Sequence, residues 1–399
     1  CSGQSNMAFL LQNAFNGSQM VQDANNYPAI RLFTSKKINS KTPLPEQPVV
    51  EETWQISSNI SVSQDNKPGP FDDNWLYMSA VCFLYAREVH KATNIPIGVL
   101  NTNWGGTPVE YWSSKDAYKQ CGTPGDARGG WDGMVVPLLN TTIKGVIWFQ
   151  GEANTGRFAN YSCQFPAMIA DWREKFHQGT NGLTDPTFPF GFVQLSSYDG
   201  ADEDIAGLRW AQTANFGSVP NEKMPNTFMA VAMDLGDKES PFGSVHSRHK
   251  TEVGYRLALA GLNVAYGRGH SSQWTGPLAT TAQQLVDGTV SVEFGSMGSF
   301  GLFVKNQSAT NWELCRGSPL VCVAGSVSST TATAVVIKPA GTCLSCANTG
   351  FTVVRYAWKA FTCEFEGCSV YSNVTDCFGR QTKLPAPPFQ LDVAKPGGF

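Results

Sequence analysis

The sequence predicts an α/β protein: a parallel sheet flanked by helices over residues 1–270, then a small β-rich, disulfide-containing domain over residues 271–399. Three observations carry that expectation. Up to about residue 270, short apolar runs bounded by turn residues alternate with amphipathic stretches of helical spacing, the pattern of βαβ units. Beyond it the helical period is lost, and Val/Thr/Phe alternation broken by Gly and Ser takes over. The cysteines divide the same way, with seven of the 11 between Cys315 and Cys377.

In chain order, the strands are expected at Ile30–Thr34, Ile95–Thr102, Gly145–Gln150, Phe188–Leu195 and Thr227–Met233. The clearest helix is Trp75–His90, where Met78, Val81, Cys82, Tyr85 and Val89 share one face. Others are expected at Phe165–Phe176, Ala206–Phe216 and Lys250–Ala265, and Gly3-Gln4-Ser5-Asn6-Met7 leads into a helix start at Ala8-Phe9-Leu10-Leu11. Residues 36–70 are polar and Pro-rich and read as a long surface excursion. In the second domain, strands fall at Thr289–Phe294, Leu302–Lys305, Thr333–Lys338 and Phe351–Trp358, before a Pro-rich segment at Leu384–Phe389.

Composition narrows the function classes. With 42% apolar and 12% aromatic residues the chain can bury a core. Its apolar runs are far shorter than the roughly 20 residues of a membrane span. A net charge of −3 without a basic block argues against a nucleic-acid partner. Sequons at Asn16, Asn59, Asn140, Asn160, Asn306 and Asn373, with many cysteines, point to the secretory pathway, N-linked glycans, and a secreted or lysosomal location. Cys315/Cys322, Cys343/Cys346 and Cys363/Cys368 read as a disulfide framework of unreadable connectivity. A zinc ribbon is disfavoured, because no His lies beyond His270 and Cys-x-x-Cys occurs once. The chain opens Cys-Ser-Gly-Gln-Ser, with no basic start or apolar leader, as a processed or shortened end would.

There is no Gly-x-Ser-x-Gly elbow, zinc-protease motif or P-loop. Of five histidines, His90 and His177 lie near ends of predicted helices and His270 in a polar linker, all structural or solvated positions. His246 and His249 differ: they follow a strand end through a Gly/Ser/Pro loop, where open α/β sheets bind ligands. Ser5 opens a predicted helix, where its own N–H can serve an oxyanion; the plain alternative is an N-cap. Asn103-Trp104-Gly105-Gly106-Thr107-Pro108 and Trp148-Phe149-Gln150-Gly151-Glu152-Ala153-Asn154 close two further strands with Gly-rich polar loops.

Gly-Gln-Ser-Asn-Met, the Trp-Gly-Gly-Thr-Pro loop, Trp-Phe-Gln-Gly-Glu-Ala-Asn and Ser-Pro-Phe-Gly-Ser-Val-His, in this order, closely resemble the sialate O-acetylesterases of the SGNH (GDSL-like) hydrolase superfamily. The resemblance runs from Cys1 to residues 385–389, taking in Pro225–Met233 and Arg355–Trp358. It implies an SGNH-like sheet and cofactor-free hydrolysis of O-acetyl groups, 9-O-acetyl foremost, from free or glycan-bound sialic acid through an acyl-enzyme. Ser5 matches the nucleophile and His246 the base and later acid. The N–H groups of Ser5 and of Gly105 or Gly106, with a side chain from Gln150–Asn154, match the oxyanion donors. Gln150 is the first choice among these, and Asn154 the second. Acetylated plant or microbial polysaccharide is an alternative substrate, and a non-catalytic glycan-binding glycoprotein a different class.

The chain departs from the family pattern in two places. Where many SGNH enzymes carry Asp three residues before the His, it has Gly243, so the orienting group is left among Glu152 (preferred), Asp234, Asp237 and a backbone carbonyl. His249 competes for the base role, and Ser247 replaces an expected Pro. Only Cys1–Gln4 precede Ser5, so the first strand is expected to be absent or supplied by another piece. Association with such an upstream segment is expected too, with Cys1 or another of the scattered cysteines (Cys82, Cys121, Cys163) finding its partner there.

Overall fold

The computed structural model describes residues 1–63, 75–122, 128–268, 274–295, 302–305, 311–340, 350–376 and 379–395. Seven strands form the first sheet: β1 (Ser2–Gly3), β2 (Ile30–Ser35), β3 (Val50–Ile56), β4 (Ile97–Asn103), β5 (Val146–Phe149), β6 (Phe190–Gln194) and β7 (Thr227–Val231). Their order is β3-β2-β4-β1-β5-β6-β7, all parallel except the edge strand β3. The inner strands are apolar on both faces because helices cover both sides. Those helices are α1 (Ser5–Ala8), α2 (Gly17–Asp23), α3 (Ala80–Thr93), α4 (Lys115–Gln120), α5 (Phe158–Gly179), α6 (Asp202–Ala211) and α7 (Lys250–Val264). Behind β5 the core is aromatic: Trp112, Trp148, Phe165, Trp172 and Phe190 meet mostly edge to face.

Several expected boundaries shift, each for a local reason. The helix drawn from Trp75 begins at Ala80, because the Ser79 hydroxyl accepts the Cys82 N–H and caps it there. It ends where Asn94 takes a left-handed conformation. Trp75 is freed to pack on Phe9 and Phe242. The helix expected from Ala8 is the single turn α1, ending as the Leu10 backbone bridges to Ser79. Helix α6 starts earlier than read, at Asp202, because three acidic residues occupy its first turn. Residues 36–70 are not all excursion, since β3 lies within them and pairs antiparallel with β2.

Ser2–Gly3 supply a piece of the first strand from within this chain. β1 is only two residues long, yet it lies at the centre of the sheet, pairing Ser2–Gly3 with Thr102–Asn103 on one side and Trp148–Phe149 on the other. Gly3 has φ +140°, and a Cβ there would lie 2.1 Å from the Phe149 carbonyl oxygen, so only glycine passes between the two neighbours. Two residues are too few for any periodicity to announce a strand. A cavity of about 330 Å³ is lined by Val99, Ile147, Trp172 and Phe228. It lies at the amino ends of the strands, away from Ser5.

The expectation of an outside partner for a scattered cysteine is likewise corrected. Cys1 is bonded to Cys82 and Cys121 to Cys163, so all four pair among themselves. Neither pair shows in the sequence, being 81 and 42 residues apart. Cys315–Cys322 and Cys363–Cys368 are also bonded, while Cys343, Cys346, Cys377 and His270 lie outside the described residues.

The second domain comprises β8 (Ala279–Gln284), β9 (Val290–Phe294), β10 (Leu302–Val304), β11 (Trp312–Arg316), β12 (Val321–Thr330), β13 (Ala334–Pro339), β14 (Val353–Tyr356), β15 (Val370–Thr375), β16 (Gln381–Pro385) and β17 (Phe389–Ala394). Seven close a barrel in the order β11-β12-β13-β9-β8-β17-β14, and β10-β15-β16 form a small separate sheet. Two buried polar groups tie this domain to the first. The fully buried Arg209 guanidinium donates to the carbonyls of Leu195, Ser196, Lys359 and Ala360, and Asp234 accepts from Arg256 and from the Tyr371 hydroxyl.

Candidate active site

The carboxyl ends of β1, β4, β5 and β7 supply the residues that the sequence singled out. Ser5 follows β1 directly and stands at the start of α1, 7% exposed. Its N–H is one of the first-turn donors that no helical carbonyl can reach. The loop after β4 brings Gly105 against it: a Cβ on Gly105 would lie 3.3 Å from the Ser5 Cβ. Among the described residues, neither the Gly105 nor the Gly106 N–H donates to a protein group, so both stay open to a ligand.

After β7 the chain turns through Ser240–Val245 and delivers His246, 2% exposed. Its Nε2 lies 2.8 Å from Ser5 Oγ, and its Nδ1 lies 2.9 Å from the Phe242 carbonyl oxygen. A carbonyl only accepts, so Nδ1 carries the proton and Nε2 faces the serine as the acceptor. Trp75 meets the imidazole edge to face at 5.2 Å. Burial pushes the His246 pKa down to about 4, against the Phe242 hydrogen bond, and the nearby Lys250 ammonium adds to the fall.

The loop after β5 provides the remaining polar groups. Gln150 and Asn154 are both fully buried. The Gln150 amide spends its two protons on Thr107 O and Asn154 Oδ1, and its oxygen accepts from Tyr161. The Asn154 amide donates to Glu110 Oε2 at 2.8 Å while its oxygen accepts the Val109 N–H, leaving one of its two N–H bonds uncommitted. Chemically, the arrangement is a hydroxyl beside a neutral imidazole positioned to take its proton, with the Gly105 loop and its open N–H against it.

The sequence pattern of carbohydrate esterases described as sialic acid-specific acetylesterases matches residues 1–263, and that of the sialate O-acetylesterase C-terminal domain matches residues 281–393. The chain belongs to this family. Among its relatives, the sialate O-acetylesterase of Mus musculus is 36% identical over 442 residues, covering 100% of this chain and 77% of the mouse protein. That of Homo sapiens is 36% identical over 422 residues, covering 100% of this chain and 75% of the human one. A carbohydrate acetylesterase from Xanthomonas citri of known structure superposes with a TM-score of 0.76 at 26% identity, covering 98% of this chain and 79% of that one.

Within this acetylesterase scaffold, the orienting acid expected from the sequence needs correction. Neither Glu152 nor Asp234 orients His246. Glu152 Oε1 accepts from Asn6 Nδ2 at 2.5 Å, and Asp234 is held by Arg256 and Tyr371 beneath the second domain. Asp237 is likewise taken, by Arg248. Of the four groups left open, the backbone carbonyl is the one at Nδ1. Of the two amides, Gln150 braces Asn154 with both of its own protons taken, and among the described residues Asn154 is the one with an N–H to spare. His249 is not at the serine either. Its ring stacks on Phe365 at 3.9 Å and faces Glu252, which explains why two histidines three residues apart do different work.

His90 and His177 are structural as read, with Nδ1 of each on a backbone carbonyl. The sequence reading missed Asn6, Lys250, Glu110 and Trp75. Asn6 lies inside the Gly-Gln-Ser-Asn-Met motif and Lys250 follows His246 by four residues, so their position was a signal; Trp75 was hidden inside an apolar helical pattern. Among the described residues, Glu313, Cys315 and Cys322 place ligand atoms within 4.8 Å of one another, but the two sulfurs are bonded to each other. No described helix is long and apolar enough to cross a membrane.

Proposed function

We propose that the chain hydrolyses O-acetyl esters of sialic acid, with the 9-O-acetyl group preferred, through a covalent acetyl-Ser5 intermediate. The observation that carries this reading is the 2.8 Å contact between His246 Nε2 and Ser5 Oγ beside open N–H groups, in a chain of the sialic acid-specific acetylesterase family. His246 Nε2 takes the hydroxyl proton as Ser5 Oγ attacks the acetyl carbonyl carbon. The oxyanion is received by the N–H groups of Ser5 and Gly105 or Gly106 and by Asn154 Nδ2. The intermediate collapses as Nε2–H gives its proton to the departing sugar oxygen. A water molecule, deprotonated by His246, then attacks the acetyl carbon, and acetate leaves as the proton returns to Ser5. Throughout, the Phe242 carbonyl accepts the Nδ1–H and keeps the ring in one tautomer.

The test is acetate release from 9-O-acetyl sialic acid, with fluorophosphonate labelling read by peptide mass. Wild type is expected to label at Ser5 and Ser5→Ala to lose both signals. His246→Ala should lose on the order of 10²–10⁴ in rate, whereas His249→Ala should not. An intact, folded chain that never labels at Ser5 would leave a glycan-binding role instead. The relative described as a carbohydrate acetylesterase supports one rival substrate, acetylated polysaccharide, and faster release from acetylated xylan would favour it.

A secreted or lysosomal location with N-linked glycans belongs to the same proposal. It is supported by the disulfides and by exposed Asn16, Asn140, Asn160 and Asn373; Asn59 is half-buried, and Asn306 lies outside the described residues. A mass loss on endoglycosidase treatment of protein from secreting cells checks it.

A further inference from the structure

The residue after the nucleophile has no part in the mechanism above, yet its side chain is completely buried and its amide is bound on both sides. Asn6 Nδ2 donates one proton to Glu152 Oε1 at 2.5 Å and the other to the Val245 carbonyl at 2.8 Å, while Oδ1 accepts from Lys250 Nζ at 2.7 Å. These three partners belong to three different parts of the site. Val245 immediately precedes His246, Glu152 opens the turn that carries Asn154, and Lys250 opens α7.

Burying a carboxyl and an ammonium here is expensive. Among the described residues Glu152 Oε2 has no hydrogen-bond partner, and burial pushes this carboxyl above the usual range. Lys250 is 1% exposed, its pKa lowered by burial to about 7, with its ammonium 4.6 Å from the centre of the Phe9 ring. A Glu–Lys pair meant only to hold the fold would do so better in direct contact than with an amide between them. What the interposed amide gains is direction. An acceptor on one side and a donor on the other allow only one orientation of the Asn6 carboxamide, because the flipped one would set oxygen against carboxylate and NH₂ against ammonium.

We propose that Glu152 and Lys250 are positioning residues that lock the Asn6 amide, and that this amide holds the Val245–His246 segment in register with Ser5. The inference rests on the Ser5–His246 reading above. Asn6 is joined to Ser5 by a peptide bond, so pinning its side chain to the Val245 carbonyl fixes the distance between two segments 241 residues apart. Misplacement of a reacting pair by about 1 Å can cost on the order of 10² in rate.

The test uses the full chain, with p-nitrophenyl acetate and 9-O-acetyl sialic acid as substrates. Asn6→Ala is expected to lower kcat about 100-fold on both, with KM changed less than about threefold and Ser5 labelling slowed in parallel. Glu152→Ala should show the same split. Glu152→Gln should recover most of that loss, because Gln still offers Asn6 an acceptor without the charge. A kcat for Asn6→Ala within threefold of wild type overturns the proposal. So does a loss confined to KM, or a Glu152→Gln as impaired as Glu152→Ala. Should Asn6→Ala fail to fold, the two Glu152 variants decide between the same outcomes. Ser5→Ala in the same assay keeps the two readings apart: retained turnover there defeats the serine mechanism, not the positioning of segment 245–246.

Discussion

The low pKa of His246 makes a quantitative statement about pH. A free histidine titrates near 6.5, whereas burial, aided by Lys250 and opposed by Phe242, brings His246 down to about 4. Only the neutral ring can take the Ser5 proton. At pH 5 a base of pKa 4 is about 90% neutral and one of pKa 6.5 about 3% neutral, a difference of about 30-fold in competent enzyme. The acid limb of kcat/KM, which reports the free enzyme, is therefore expected to bend near pH 4. Acetate release at saturating buffer between pH 3.5 and 8, with stability checked at each pH, measures it. Half-loss of kcat/KM near pH 6.5 in folded protein would refute the burial argument. The same shift bears on stability. Because the folded-state pKa is depressed, the unfolded chain binds the proton more readily, so the contribution is fully present above pH 6.5 and is lost as pH falls toward 4. Its size is about 3 kcal/mol.

Asn154→Ala removes the proposed oxyanion donor and should lower kcat by about 10²–10³, with little change in KM. Gln150→Ala should act only indirectly, by loosening Asn154, and cost less; the reverse ranking in steady-state kinetics would restore Gln150 as the donor. Lys250→Met removes a cation that depresses the His246 pKa, so the acid limb of its pH profile should move upward from that of wild type. Cys1→Ser with Cys82→Ser opens a loop of 81 residues, and denaturant unfolding should show a loss of about 4 kcal/mol. Arg256→Leu leaves Asp234 buried without its ion pair at the contact between the domains, at a cost of about 3–5 kcal/mol in the same measurement.

The strands and helices of the first domain were readable because each buries a face whose period is local: alternation or apolar runs for β4 to β7, and 3.6-residue spacing for α3, α5 and α7. Ser5 and His246, the proposed nucleophile and base, were readable for a different reason, since they lie inside motifs several residues long that resemble one family. Local reading failed where the deciding neighbour is remote. Ser2–Gly3 is a strand only because Thr102 and Trp148 stand on either side of it. Trp75 looked helical until Ser79 capped the helix after it.

By itself, then, the sequence determined the α/β and β-rich division and the family, and singled out Ser5 and His246, because those depend on short-range pattern. Only the tertiary structure decided what surrounds them. The acids that the sequence offered for His246, Glu152, Asp234 and Asp237, each find a cation or an amide elsewhere, and the Phe242 carbonyl is left to orient the ring. Which polar group meets which is fixed by competition among all buried donors and acceptors at once, since none can remain unpaired cheaply. The fold likewise brings Cys1 to Cys82 on α3. That disulfide closes across 81 residues, where no spacing rule reaches.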